Sequence, residues 1–474
     1  MTLHAGQRAI TADTLEVSKL QTALLHHDTH VGLLRRPSTV GRKSMPVDAI
    51  IVPAARPVKA LEAVFAVAKT LRVLLVVICS HKARAADAVA AAKRFGVEII
   101  AIDNPSRSLL PRFKTTQALV GTRFEPFATR SAAIPDTSAK RNIGLLLARM
   151  AGWERIVFVD DDIAISAKAI QEAVCLLGDE LHAVGLGNDG YPDNSVVCHA
   201  YRLAGGGQGA FIGAGALAVA VSKMDSFFPD VYNEDWLFLY HSVAAGRVAV
   251  VGEMAQHDYD PFASKRRATQ EEFGDCLGEG LFWLLDDDQR SAAADHAFWT
   301  GFLAKRRAFI AELRRHIATL GQADPLNAKM LASLEAADAC HRIINARRMI
   351  DFLADWEKDR ETWKQFVDDK VAGQVRRIDK ALAELGLLYQ QSEPSPAGTE
   401  LAAVASASAP AARVRKRDRV RLRVKKIFSG LRSVRRPHPT RPKETGRRAA
   451  SPNADRGEPA GCADLLVGAG RRRG

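Results

Sequence analysis

Three consecutive carboxylates, Asp160, Asp161 and Asp162, close the run Arg155-Ile-Val-Phe-Val, an apolar and β-branched segment that reads as a buried strand. On an extended backbone Asp160 and Asp162 face one side and Asp161 the other, so two carboxylates converge on one spot. Charges so close raise one another's pKa values unless a cation or hydrogen-bond donors offset them. A hard divalent ion, Mg2+ or Mn2+, is the simplest offset, because it takes oxygen ligands and keeps waters or phosphates in its shell. The plain alternative is a solvated acidic turn after an ordinary strand.

The elements on either side bear on that choice. Upstream, Ile143, Leu146, Leu147 and Met150 have the spacing of one helix face, with Gly152 as its stop. If Ser138 caps this helix, Lys140, Arg141 and Asn142 fall in its first turn, where the cations could meet a bound anion such as a diphosphate. Downstream, the glycine-rich run from Gly205 to Gly215 leads into a strand-like segment and permits close approach of backbone to a ligand. It has neither a Walker ending nor a strand-Gly-x-Gly-x-x-Gly-helix context. Then follow Glu234 and Asp235, the strand-like Arg247–Val251, and His257. Taken singly, a histidine is as often an ordinary half-buried residue.

In this order, the strand Asp48–Pro53, the Lys140-Arg141-Asn142 helix, the Asp160–Asp162 end, a Gly/Ala-rich strand, Glu234-Asp235 and His257 resemble a GT-A fold glycosyltransferase of the family 2 type, over about residues 46 to 260. The resemblance implies a Rossmann-like, mixed and mostly parallel sheet flanked by helices, and transfer of a hexose from a nucleotide-diphosphate donor to an acceptor hydroxyl, with inversion. It implies that the Pro53–Arg56 loop borders the base, that Asp160 and Asp161 serve the donor beside Lys140 and Arg141, and that Asp162, with Asp160 and His257, holds Mn2+ or Mg2+. In an inverting enzyme Asp235 of the Glu234-Asp235 pair would be the base; in a retaining one it would position the acceptor. The second strand departs from the family in ending at Cys79 and Ser80 instead of an acid, leaving Asp103 or Asn104 to take over base or ribose contact. The connection from Asn104 to Thr137 is long for a compact domain. A nucleotidyltransferase of sugar phosphates would use a similar sheet, but Pro53-Ala-Ala-Arg56 lacks its glycine-rich loop; a non-catalytic, transferase-like scaffold is the remaining alternative.

The chain divides by pattern into a lead segment (1–45), the catalytic α/β region (46–264), a helical region (265–390) and a basic tail (391–474). Phe298, Phe302, Phe309, Leu313, Ile317 and Leu320 recur at mostly helical spacing and read as core. Asp286, Asp287 and Asp288 read as a helix start, where carboxylates are favoured, and not as a second metal site. The tail carries 20 Lys and Arg against 7 Asp and Glu, which is the whole of the chain's net charge of +13; residues 1–390 are neutral. Its composition is that of a disordered appendage, so the basic balance does not make the body a nucleic-acid enzyme. Within 413–436, Val420, Val424, Ile427, Leu431 and Val434 step by four and three among arginines and lysines, an amphipathic pattern suited to an anionic membrane surface. With no spanning stretch of about 18 apolar residues and no leader of charged-then-apolar type, the expected place is the cytoplasm, with the tail touching the inner face of the plasma membrane. Six cysteines without CxxC spacing fit a reducing compartment.

Overall fold

A computed structural model describes residues 24–119, 137–192, 194–321 and 323–392. The basic stretch 413–436, and with it the amphipathic pattern, lies outside the described residues.

Nine strands form one sheet: β1 (Ala49–Ala54), β2 (Leu74–Cys79), β3 (Ile99–Asp103), β4 (Arg155–Val159), β5 (Ile163–Ile165), β6 (Ala183–Asn188), β7 (Ala216–Ala220), β8 (Val248–Gln256) and β9 (Tyr389–Ser392). Their order is β5-β8-β6-β7-β4-β1-β2-β3-β9. β1 to β4, β6 and β8 point the same way, while β7 enters antiparallel between β4 and β6. The mixed, largely parallel sheet that the resemblance implies is what forms. β1 is buried at every position, as a strand covered on both faces must be. Ala49 and Ile51 join one apolar cluster and Ile50, Val52 and Ala54 the other, so the pleat divides a three-layer core.

One layer contains α1 (Glu62–Leu71), α2 (Ala85–Phe95) and, beyond β5, α5 (Ala167–Val174). The other holds α4 (Thr137–Met150), α7 (Glu234–Ala244) and α8 (Lys265–Asp286). α4 approaches β1 closely because Gly144 has no side chain; a Cβ there would sit 2.7 Å from Ile51 Cγ2. In the long connection before it, α3 (Lys114–Leu119) is held by Asp359, which accepts the N–H groups of Lys114 and Thr115 at 2.8 Å each. α6 (Val196–Leu203) follows β6.

The helical region continues as α9 (His296–Thr319), α10 (Pro325–His341), α11 (Ala346–Val371) and α12 (Ile378–Glu384). Two features differ from expectation. β9 pairs antiparallel with β3, Ile99 opposite Ser392, so the far end of the helical region returns to close a sheet edge that would otherwise be open. The cluster Asp286-Asp287-Asp288 ends a helix and does not start one: α8 stops at Asp286, and Asp288 turns to φ 56°. A carboxylate is disfavoured by the dipole there, and Asp286 is offset by His27 and His30. No helix among the described residues is long and apolar enough to cross a membrane.

Candidate active site at the carboxyl ends of β1 and β4

β4 stops at Val159, one residue before the acids. The Ile163 N–H donates to the Asp160 carbonyl at 3.2 Å, so the triad lies in a turn and the strand alternation expected for it does not hold. Asp161 and Asp162 instead face the same partner. Asp161 accepts the backbone N–H groups of Ala55 and Arg56 at 2.7 Å each and also binds the Arg56 guanidinium. Asp162 accepts from the other arm of Arg56 at 2.9 Å. Arg56 thus fastens the loop after β1 to the turn after β4.

Asp160 faces the other way. Arg141 Nη2 donates to both its oxygens at 2.9 and 2.8 Å, and Nη1 donates to Glu234 at 2.7 Å. Arg141 is 3% exposed and lies over the Phe228 ring. One guanidinium therefore couples the end of β4 to the start of α7. Its neighbours in α4 point elsewhere. Lys140 is buried with Nζ donating to the Ala54 carbonyl at 2.8 Å, not facing a donor anion, and Asn142 exchanges two 2.8 Å hydrogen bonds with the Phe228 backbone.

A cavity of about 330 Å³ opens against Asp160, Arg141, Glu234 and Asp235. The glycine-rich run shapes it. Gly215 accepts the Asp160 N–H at 2.9 Å, and a Cβ at Gly215 would lie 3.5 Å from Asp160 Oδ2. A Cβ at Gly213 would lie 2.6 Å from Asp235 Oδ2, which also accepts the Ala214 N–H at 2.9 Å. A side chain at Gly213 would displace the Asp235 carboxylate, whereas one at Gly215 would make only ordinary contact with Asp160. Other expected residues are not gathered on this cavity. The exposed His257 donates its backbone N–H to the Asp162 carbonyl at 3.0 Å. Pro53 is buried within β1, and Asp103 caps α2 by accepting the Ala85 N–H at 2.8 Å.

The opposite wall was not foreseen. Glu271, Asp275 and Glu279 lie four residues apart along α8 and line the same cavity, with Asn188, Ser195 and Cys198 nearby. α8 reaches it through Gly274 and Gly278: a Cβ would sit 2.1 Å from the Tyr232 carbonyl oxygen and 2.9 Å from Asn233 Nδ2, respectively. Asn233 itself takes a left-handed φ of 60° before α7, the kind of backbone strain that accumulates at functional sites. The signal lay in the sequence as carboxylates at i, i+4 and i+8 alternating with glycines on a helix otherwise rich in apolar residues.

Burial, reinforced by Asp162 and Asp161 and opposed by Arg141, raises Asp160 to about 6. Burial likewise lifts Glu271 to about 7 against its Arg267 partner, and Asp275 to about 6 against Arg306. For Glu279 burial is overcome by His30, and the carboxyl is held down at about 2. Among the described residues, Asp160, Asp161, Asp162, Glu234 and Asp235 around the turn meet the guanidiniums of Arg56 and Arg141. An oxygen-rich set of this kind fits a hard divalent cation in chemistry. It is not gathered into a ligand trio, however. Among the described residues three trios bring ligand atoms within 4.8 Å of one another, and Asp160, Asp162 and His257 belong to none of them.

Compared with known proteins, the chain matches no protein-family model and no curated protein.

Proposed function

We propose that the protein is a metal-dependent glycosyltransferase of GT-A type, moving a hexose from a nucleotide-diphosphate sugar to an acceptor hydroxyl. The observation that carries this reading is the Arg141 bridge: it holds Asp160, at the end of a central parallel strand, and the Glu234-Asp235 pair, at the start of α7, on one cavity. Clefts outside the carboxyl ends of parallel strands are where α/β sheets bind ligands. The mixed, mostly parallel sheet flanked by helices is in keeping with the same reading.

In this account the acceptor oxygen attacks the anomeric carbon of the donor, the bond from that carbon to the phosphate oxygen breaks, and the acceptor's proton passes to Asp235. Arg141 keeps Asp160 and Glu234 in place beside the cleft, and Gly213, without a side chain, leaves room for Asp235. A Mn2+ or Mg2+ ion taken by Asp162 and Asp160, with His257, would neutralise the departing diphosphate when bound, and taking it up requires Asp162 to leave Arg56 because the three residues are not gathered in this structure. Buried acids on α8 would meet the acceptor side of the cleft. The basic stretch 413–436 would bring the enzyme to an anionic membrane surface on the cytoplasmic side, which co-sedimentation with anionic liposomes of the full chain against a truncation at residue 390 tests; equal pelleting removes that role.

The activity is tested by incubating the full chain with UDP-, GDP- and dTDP-sugars and Mn2+. Release of nucleoside diphosphate, abolished by EDTA, is the expected result, with inversion read from the product anomer by proton NMR. Release of pyrophosphate from a nucleoside triphosphate and a sugar phosphate would identify a nucleotidyltransferase, and no turnover of either kind would leave a scaffold.

A further inference from the structure

Behind the cleft, at the end of α8, a cluster of side chains has no part in the proposed transfer. His27 and His30, three residues apart ahead of the short turn Val31–Leu33, both aim Nδ1 at one oxygen of Asp286, at 3.1 and 2.5 Å. The remaining nitrogen of His30, Nε2, lies 3.0 Å from Glu279 Oε2. The His30 side chain is buried and stands edge-on to Trp236; that of His27 is 26% exposed and stacks on Trp283 at 3.9 Å between ring centres.

We propose that His27, His30 and Asp286 form a zinc site. Two imidazole nitrogens and one carboxylate oxygen are a set that Zn2+ accepts, with a water completing a tetrahedron. Bonds of about 2.0–2.1 Å at tetrahedral angles place neighbouring ligand atoms roughly 3.3 Å apart. The His27–Asp286 separation of 3.1 Å already meets that, and the His30–Asp286 separation of 2.5 Å has to open by less than about 1 Å. Glu279 supplies what a zinc-bound histidine ordinarily has on its far side: a carboxylate that takes the Nε2 proton, fixes the tautomer and leaves the Nδ1 lone pair for the ion. Solvent reaches the trio on the His27 side, which gives the ion a route in.

The other two trios suit an ion less well. In Glu272, Cys276 and His341, both oxygens of Glu272 accept from the buried Arg306 guanidinium, a cation where the metal would go. In His26, Cys198 and Glu279 every member is buried, and Glu279 is already the acceptor for His30.

An ion held by His27, His30 and Asp286 staples residues 26–30 to the end of α8. That segment backs the glycine-rich run: the Gly209 N–H donates to the Asp28 carbonyl at 2.7 Å, the Tyr201 hydroxyl donates to the Asp28 carboxylate at 3.0 Å, and His26 pairs with Gln208 at 2.6 Å. An ion there supports one wall of the cleft from outside.

The test uses the full chain, stripped with EDTA and titrated with Zn2+ alone by calorimetry, with metal per chain counted by mass spectrometry and Co2+ as a spectroscopic substitute. The expected result is one tight Zn2+ and a tetrahedral Co2+ spectrum. Binding should weaken at least about 100-fold in His27→Ala, whose half-buried side chain can be removed without emptying the core, and about 10–100-fold in Glu279→Gln, while Cys198→Ser leaves it unchanged. Circular dichroism confirms that each variant is folded. Absence of a tight Zn2+ in the wild-type chain, retention of it by His27→Ala, or its loss in Cys198→Ser each overturns the assignment.

Discussion

The turn after β4 and the crossing of α8 with α9 use the same ingredients, carboxylates against arginines, and arrange them to opposite ends. At the crossing, Arg306 donates to Glu272 at 3.2 and 3.0 Å and to Asp275 at 2.5 Å, while His341 meets Glu272 at 3.0 Å. Each of these side chains is at most 4% exposed. Burial opposes ionisation of Glu272, yet Arg306 and His341 hold it down at about 2. At the turn, Asp160 is 27% exposed toward a cavity, and its carboxyl rises to about 6. A closed, matched cluster locks elements together; an open one is poised for a ligand. Asp275 belongs to both, since it pairs with Arg306 and lines the cleft.

Four perturbations separate the open cluster from the closed one. Asp235→Asn should lower sugar transfer by about 10²–10⁴-fold, the usual contribution of a positioned base, with an unchanged melting temperature; a loss below tenfold removes Asp235 from the chemistry. Arg306→Met leaves Glu272 and Asp275 buried without their cation and should cost about 3–5 kcal/mol in urea unfolding. A cost under about 1 kcal/mol would mean that the crossing is not the lock described here. Gly274→Ala drives a methyl into the Tyr232 carbonyl and should cost about 1–3 kcal/mol, again by urea unfolding, and a neutral result would show that α8 can retreat from the cleft. The smallest effect is on pH. Because the folded value of Asp160 is raised above 3.8, its contribution to stability is complete below about pH 4 and is lost as pH rises through about 6. Urea unfolding of the ion-free chain at pH 4 and pH 7 reads this, and a stability that does not fall between the two would place its ionisation elsewhere.

Much of the frame was legible. The apolar runs at Ile50–Val52, Leu75–Ile78, Ile99–Ile102 and Ile156–Val159 became parallel strands because runs without polar alternation have to be covered on both faces. The acids at the end of β4 and the start of α7 were also legible, and the fold brings Asp160, Glu234 and Asp235 onto one cavity. The side-chain directions were not. Alternation presumes an extended strand, and a hydrogen-bonded turn sent Asp161 and Asp162 to Arg56 instead. Lys140 looked like a phosphate ligand by position, but its long stem reaches the carbonyl of Ala54, an acceptor that no local pattern exposes. β9 depends on a contact between residues hundreds of positions apart, Ile99 with Ser392, about which periodicity along the chain carries no information; the α8 acids had a readable spacing, but not the partners they meet, such as His30 with Glu279.

The most direct test of the central claim is nucleoside diphosphate release by the full chain across a panel of nucleotide sugars, with and without Mn2+. The account predicts release from at least one donor that requires the ion and disappears in Asp162→Asn. Release that persists in EDTA, or that Asp162→Asn leaves near normal, would contradict it.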